Sequence, residues 1–303
     1  MNKKIFISHG DIIIDKIYND NLKLINQDGG GCNWNDLYNL SLMGEECYAI
    51  GSCGNDEEGK IAINSLKKVG VNTDNIVIEK KSTNAMNIII PNKDLEDDSI
   101  IHSWYNPITL DFTMHFSKNL PTKLPKELEN KEIYVILDKF LPINMSFINN
   151  IKNKKVCLDI GHIRFFEHFT RQYLFDFFKT ASYIQLNENV VPLLFERLRV
   201  KSLTQLFELL NPDLIVLTKG KRGAEYVFKE NGAIKINFET PEIIVDIVDS
   251  SGAGDAFFST TLREYAYTEI INTEFTKRTF EFANKSSREV IMQIGSRIKK
   301  EDN

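Results

Sequence analysis

The chain has 303 residues, 42% of them apolar, and a net charge of −5. That is enough apolar material for a sizeable core in one large domain, or in one domain with an appendage, and an acidic balance argues against nucleic acid as a partner. No stretch approaches the ~18 consecutive apolar residues of a membrane helix, and the run at 5–7 is cut at once by Ser8-His9-Gly10-Asp11, so neither a membrane span nor a secretory leader is expected.

From the start of the chain, 12–24 holds short extended runs broken by polar turns. A glycine block follows, Asp28-Gly29-Gly30-Gly31-Cys32-Asn33-Trp34-Asn35, and then a helix-like stretch to Gly44. After the capping-type residues Asn55 and Asp56, the side chains Ile61, Ala62, Ser65, Leu66 and Val69 fall on one face of a helix. A second set of extended runs lies at 84–104; with the first it predicts a small β-layer beside the main body, in segments of about 12–26 and 84–106. The later half alternates β-branched runs (155–159, 182–186, 213–218) with helical ones (164–179, 190–198), the pattern of βαβ units and a parallel sheet. A β-branched run at 243–248 leads into a helix through Leu262, and 274–294 predicts a terminal helix pair. Nine of the sixteen glycines lie within the first 70 residues, so the backbone-special positions gather in two zones, 10–70 and 220–254.

The strongest local motif is Asp249-Ser-Ser-Gly-Ala-Gly-Asp255. A strand end, glycines and a helix start leave several N–H groups without intrachain partners, which suits a phosphate, and Asp255 beside it could take a hydroxyl proton. The same residues also fit a plain turn whose aspartate complements the helix dipole. The triple glycine lets main chain lie against a ligand, and Asn35 offers a donor and an acceptor suited to vicinal hydroxyls; taken by itself, the block reads sooner as a flexible loop and a helix cap. Thr218-Lys-Gly220-Lys-Arg-Gly223 follows an apolar strand, where parallel sheets bind ligands, although its three cations also read as a solvated turn. Asn187-Glu188 occupies an equivalent strand end.

Other patterns are rejected. Gly54 to Ile61 nearly spells a P-loop, but Ile61 replaces the hydroxyl that would hold Mg²⁺, and Asp56, Glu57 and Glu58 repel phosphate. Phe257 stands where a dinucleotide fingerprint needs its third glycine, which makes an NAD-linked oxidoreductase doubtful. The histidines, His9, His102, His115, His162 and His168, lack ligand spacing, and Cys32, Cys47, Cys53 and Cys157 show no C-x-x-C pair. Reduced thiols in a cytoplasmic protein are expected.

The order of these motifs carries more than any one. Gly10-Asp-Ile-Ile-Ile-Asp15, Gly30-Gly31-x-x-x-Asn35, Gly51-x-x-Gly54-x-Asp56-x-x-Gly59, Asn187-Glu188, Thr218-x-Gly220-x-x-Gly223 and Gly252-Ala-Gly-Asp255 together resemble the ribokinase (PfkB-type) carbohydrate kinase family across nearly the whole chain. The resemblance implies a single ribokinase-like α/β domain over 1–303, its mainly parallel central sheet flanked by helices and covered by a small β-sheet lid. It implies an ATP-dependent phosphotransferase acting on a hydroxyl of a sugar or sugar derivative. Asp255 would be the base, and Gly252, Ala253 and Gly254 the anion hole. Asp15, Gly30, Gly31 and Asn35 would bind sugar. Thr218, Gly220, Gly223 and Asn284 would line the nucleotide site, and Asn187 would act near Mg²⁺ and the phosphates. Asp249 matches a position that in many members helps hold a monovalent cation, K⁺ among them, and in several members the lid makes a homodimer contact.

Two departures stand out. The family often has N-x-x-E where this chain has Asn187-Glu188-Asn189-Val190, so either Glu188 substitutes through water or metal handling is weakened. Ser251 in the late motif keeps a hydroxyl. Two alternatives stay open: a nucleoside kinase of the same fold, and, prompted by Val190, a non-catalytic sugar or nucleotide sensor. Acceptor identity is expected among His102, Trp104 and Tyr105, whose rings could stack on a sugar or pack within the lid.

Overall fold

The computed structural model describes residues 3–90, 100–161, 166–241 and 247–298. Its first half holds β1 (Ile5–Asp11), β2 (Ile13–Tyr18), β3 (Leu24–Gly30), α1 (Cys32–Leu42), β4 (Glu46–Gly54), α2 (Glu57–Lys68), β5 (Asn72–Glu79), β6 (Asn84–Ile89) and β7 (Ile101–Ser103). The second half continues with β8 (Ile133–Leu137), α3 (Pro142–Asn149), β9 (Lys154–Ile160), α4 (Arg171–Phe178), β10 (Ala181–Asn187), α5 (Val191–Leu198), α6 (Leu203–Leu210) and β11 (Leu214–Thr218). A hairpin, β12 (Ala224–Glu230) and β13 (Ala233–Glu239), precedes α7 (Ala253–Tyr267) and α8 (Thr273–Ile291).

Nine strands form one sheet in the order β13-β12-β11-β10-β9-β8-β1-β4-β5, parallel from β11 to β5, with the hairpin antiparallel at one edge. Side chains alternate across a strand, and the sequence uses this to build two cores. Ile5, Ile7, Ile133, Val135 and Leu137 face one side, where they pack with Phe147, Leu174, Leu194 and Phe207 of α3–α6. Phe6, Tyr134 and Ile136 face the other, against Trp34, Leu66, Phe258 and Phe280 of α1, α2, α7 and α8. Strands buried on both faces read as continuous apolar runs, which is why the parallel sheet was legible. Four further strands make a second sheet, β3-β2-β6-β7, whose β2–β3 and β6–β7 pairs are antiparallel and whose β2–β6 pair is parallel.

Asp56 caps α2 by accepting from the Gly59 N–H at 2.8 Å, and Thr170, Ser202 and Asn272 cap α4, α6 and α8 in the same way. The expected terminal helix pair is instead one continuous helix, α8, because nothing between Glu274 and Ile291 breaks the 3.6-residue period; Ile294 lies beyond it and is exposed. The expected helix over 164–179 starts only after the Thr170 cap, with a short 3₁₀ turn before it. The run at 243–248 lies mostly outside the described residues, as do His162 and Arg164. Among the described residues no helix is long and apolar enough to cross a membrane.

Candidate active site

Parallel strands end together, and their carboxyl ends carry the polar side chains that the core excludes. Asp138 follows β8, Asp159 sits next to last in β9, and Asn187 and Thr218 end β10 and β11. Over these ends stands the small sheet, presenting Ile13, Asp15, Met86, Ile88 and His102, with Trp104 just beyond it. The starts of α1 and α7 close the remaining sides. The enclosed cavity measures about 410 Å³.

The helix starts bring distant segments together. Asn35 Nδ2 donates to Asp255 Oδ2 at 2.7 Å across a separation of 220 residues. Asn35 Oδ1 in turn accepts from Arg297 Nε at 2.8 Å, and Arg297 Nη1 donates to Ser65 Oγ at 2.7 Å. The buried guanidinium also lies 4.6 Å from the centre of the Tyr38 ring. Arg297 therefore fixes which end of the Asn35 amide faces Asp255.

Burial raises the Asp255 carboxyl from 3.8 to about 6, against the hydrogen bonds from Asn35 and Cys32 that favour its ionised form. Asp15 is likewise pushed up to about 6 by burial, opposed by the Ser296 hydroxyl, which donates to its Oδ2 at 2.8 Å, and by the charge of Arg297. Burial also drives Asp159 well up, with Asp255 and Asp138 adding repulsion.

The start of α7 suits an anion. Gly252 caps it at φ 77°, no side chain caps it among the described residues, and the space a Cβ of Gly254 would enter is open. At Gly252 a Cβ would lie 1.9 Å from the Ser296 carbonyl oxygen, so only glycine lets the C-terminal turn close against this loop. Asp249 makes the same connection: Oδ1 accepts from Ser251 N at 2.8 Å and Oδ2 from Gly295 N at 3.0 Å.

Of the residues singled out in the sequence, Asp15, Gly31, Asn35, Asn187, Thr218, Gly252, Gly254 and Asp255 line the cavity. His102, Trp104 and Ser251 line it as well, whereas Gly30, Ala253, Gly220, Gly223, Asn284 and Asp249 stand outside its described wall. Gly30 lies behind Asp15, with room for no Cβ because the carboxylate carbon would be 1.9 Å away. Ala253 gives its carbonyl to Ser287 Oγ at 2.9 Å. Gly220 and Gly223 shape the turn after β11, Gly223 packing against the Glu239 carbonyl, and Asn284 sits on α8. Val190 is fully buried at the start of α5, in the apolar core, while Glu188 pairs with Arg222. His102 and Trp104 face the cavity, and His102 Nε2 lies 3.3 Å from Ser251 Oγ, but Tyr105 is 56% exposed and packs on Phe112.

Sequence reading missed Cys32, Asp138, Asp159, Gln185, Ser296 and Arg297. The two aspartates had a signal, an acid at the carboxyl end of an apolar parallel strand. Arg297 had none, since the tail after α8 has no periodicity.

A family model described as pfkB family carbohydrate kinase matches residues 10–303. A probable fructokinase-5 of Arabidopsis thaliana is 24% identical over 270 residues, covering 84% of this chain and 81% of that protein. The fold is similar to that of fructokinase from Vibrio cholerae O395, solved with fructose, ADP and calcium ion bound (TM-score 0.71, 15% identity, 97% of this chain and 94% of that one). It is equally similar to that of the Methanocaldococcus jannaschii nucleoside kinase, an archaeal member of the ribokinase family (TM-score 0.72, 15% identity, 98% and 94%). With a match running from Gly10 to the last residue and a fold that agrees with it, this chain belongs to the pfkB family of carbohydrate kinases.

Proposed function

We propose that the chain transfers the γ-phosphoryl group of Mg·ATP to a hydroxyl of a sugar or sugar derivative, with Asp255 as the base. The single observation that carries this reading is the meeting of Asn35 and Asp255 at 2.7 Å inside one cavity, at the uncapped start of α7. In the proposed step the acceptor oxygen attacks phosphorus as its proton passes to Asp255, the phosphorus–oxygen bond to ADP breaks, and the leaving oxygen keeps the electron pair. The N–H groups at the start of α7 hold the charge of the transferring group. Asp15, Gly31 and Asn35 orient the acceptor, with Gly30 behind them. Arg297 is a positioning residue that acts through Asn35.

The nucleotide phosphates fit the open glycine start of α7, with Asn187 and Thr218 on the same wall. Gly220, Gly223 and Asn284 serve the base and ribose end in this reading. Mg²⁺ would neutralise the polyphosphate, and with Val190 buried in the core Asn187, on the cavity wall, is the residue that would help hold it. Asp249 is proposed to aid a K⁺ site through the loop it anchors. The small sheet acts as a lid that excludes water, and the exposed Ile101 on β7, with Tyr105, Ile108, Leu110 and Phe112 in the segment after it, supports a homodimer contact there.

A nucleoside kinase is the second reading, favoured by the similarity to a solved nucleoside kinase. ADP release with Mg·ATP across sugars, sugar phosphates, fructosamines and nucleosides separates the two. Turnover with a sugar or sugar derivative is expected. Turnover with nucleosides alone would select the second reading, and saturable binding without turnover would replace both with a sensor.

A further inference from the structure

Phosphoryl transfer as proposed uses Asp255 but gives no part to the Cys32 thiol and the Asp159 carboxyl beside it. The Cys32 thiol and the carboxylates of Asp159 and Asp255 each present a ligand atom, and all three lie within 4.8 Å of one another. Cys32 is the least buried of the four cysteines and lines the cavity, so a solute ion can reach it. A tetrahedral ion with bonds of about 2.0–2.3 Å draws its ligands to about 3.5 Å apart, a difference that rotation of the two carboxylates supplies.

A second observation points the same way. Asp36 stands one turn beyond Cys32 on the same face of α1. It is fully buried, and neither of its carboxylate oxygens has a hydrogen-bond partner among the described residues. Burial holds its carboxyl well above the ordinary range, and Asp159, Asp255 and Asp138 are close enough to add repulsion. Four carboxylates thus surround one thiol. Of the nearby cations, Lys139 is engaged by Asp138 at 2.9 Å and Arg297 by Asn35. A thiol and two carboxyl groups converging within 4.8 Å, with a buried carboxyl behind them that lacks a hydrogen-bond partner among the described residues, form a donor set that a divalent cation can take by displacing their protons.

We propose that Cys32, Asp159 and Asp255 form a site for a thiophilic divalent cation of the Zn²⁺ class, with Asp36 as outer support, and that its occupant excludes the acceptor. The thiol sets the selectivity, since Mg²⁺ takes oxygen ligands and a soft sulfur favours Zn²⁺, Co²⁺ or Cd²⁺. Binding forms one metal–sulfur and two metal–oxygen bonds and releases to the buffer the thiol proton and any proton held by the two carboxyls, with no change of oxidation state. The exclusion step rests on the reading of Asp255 as base, because the ion would hold the oxygen that must accept the acceptor's proton; the binding step does not.

The test titrates Co²⁺ into the full-length, chelator-treated protein without nucleotide or acceptor. The expected result is one Co²⁺ per chain with thiolate-to-cobalt charge-transfer absorption, displaced by Zn²⁺ and insensitive to excess Mg²⁺. Cys32→Ser should abolish that absorption and weaken Co²⁺ binding by about tenfold or more, as loss of even outer-shell partners does. Asp159→Asn should keep the absorption but weaken binding. No thiolate absorption in the wild type, or its survival in Cys32→Ser, would overturn the site. In the kinase assay Zn²⁺ should raise the apparent KM for acceptor and leave that for Mg·ATP unchanged, an effect that Cys32→Ser relieves; equal inhibition of both proteins would overturn the exclusion. If the kinase reading itself fails, the metal-free protein shows no acceptor-dependent ADP release while the cobalt absorption persists.

Discussion

Replacing Arg297 with methionine keeps an unbranched side chain in the same slot and removes only the cation. Two charge-assisted hydrogen bonds are lost, to Asn35 at 2.8 Å and to Ser65 at 2.7 Å, along with a buried contact to the Tyr38 ring at 4.6 Å. At about 1.5 to 3 kcal/mol for each bond and about 1 kcal/mol for the ring contact, the sum is about 4 to 7 kcal/mol. Arg297 also lines a second cavity of about 380 Å³ beside Asp28 and Tyr38. Water entering there would rescue part of the loss, leaving about 3 kcal/mol, or a fall in Tm of about 6 °C for a chain of this size. The catalytic effect has a separate signature. Without Arg297 the Asn35 amide is free to turn its oxygen toward Asp255, and the positive charge that favours ionised Asp255 is gone. Both changes raise that carboxyl above its present value of about 6, so the acid limb of kcat/KM moves to higher pH and activity recovers in alkaline buffer. A loss in kcat of about 10- to 100-fold at neutral pH fits the misplacement of one reacting group. The assay is acceptor-dependent ADP release from pH 5 to 9, with ATP affinity measured separately and expected to be unchanged. A uniform loss across the whole pH range, with the acid limb in place, would refute the positioning role.

Gly252→Ala should lower Tm by several degrees and kcat by about 100-fold, because its Cβ would meet the Ser296 carbonyl at 1.9 Å in a backbone at φ 77°; thermal unfolding and turnover would check this, and wild-type values for both would contradict it. His102→Ala removes the link between the small sheet and Ser251 and should raise ADP release in the absence of acceptor relative to transfer, measured as the ratio of the two rates. Stability should depend on pH through the buried carboxyls. Asp15 and Asp255 rise from 3.8 to about 6 on folding, so the folded chain holds more protons between those values, and both groups cost stability as pH climbs through that window. His9, pushed down by burial from 6.5 to about 4, acts in the opposite sense, so urea midpoints should fall less between pH 4 and 6 in Asp15→Asn than in the wild type; parallel curves would exclude Asp15 as a contributor.

What the sequence disclosed follows from where its constraints are local. The parallel strands announced themselves as apolar runs because both of their faces are buried, as Ile133 to Leu137 illustrate, and the start of α7 through glycines followed by Asp255. The glycine block was less transparent. Gly29 and Gly30 finish strand β3, packed against Arg297 and Asp15, and only Gly31 turns the chain into α1. Long-range partnerships stayed hidden, since no spacing relates Arg297 to Asn35 or Cys32 to Asp159. Val190 shows the limit of motif matching: at a family acid position it reads as a defect, yet in the fold it fills the core under α5.

In the proposed reaction a hydroxyl and a terminal phosphate meet at Asp255. The direct measurement is turnover of Asp255→Asn with Mg·ATP and the best acceptor from the panel, alongside ATP binding by the same variant. Its kcat should be lower by about 1,000-fold or more, since the isosteric amide keeps the shape of the site but cannot take a proton, with ATP affinity unchanged. Near-normal turnover by that variant would contradict it.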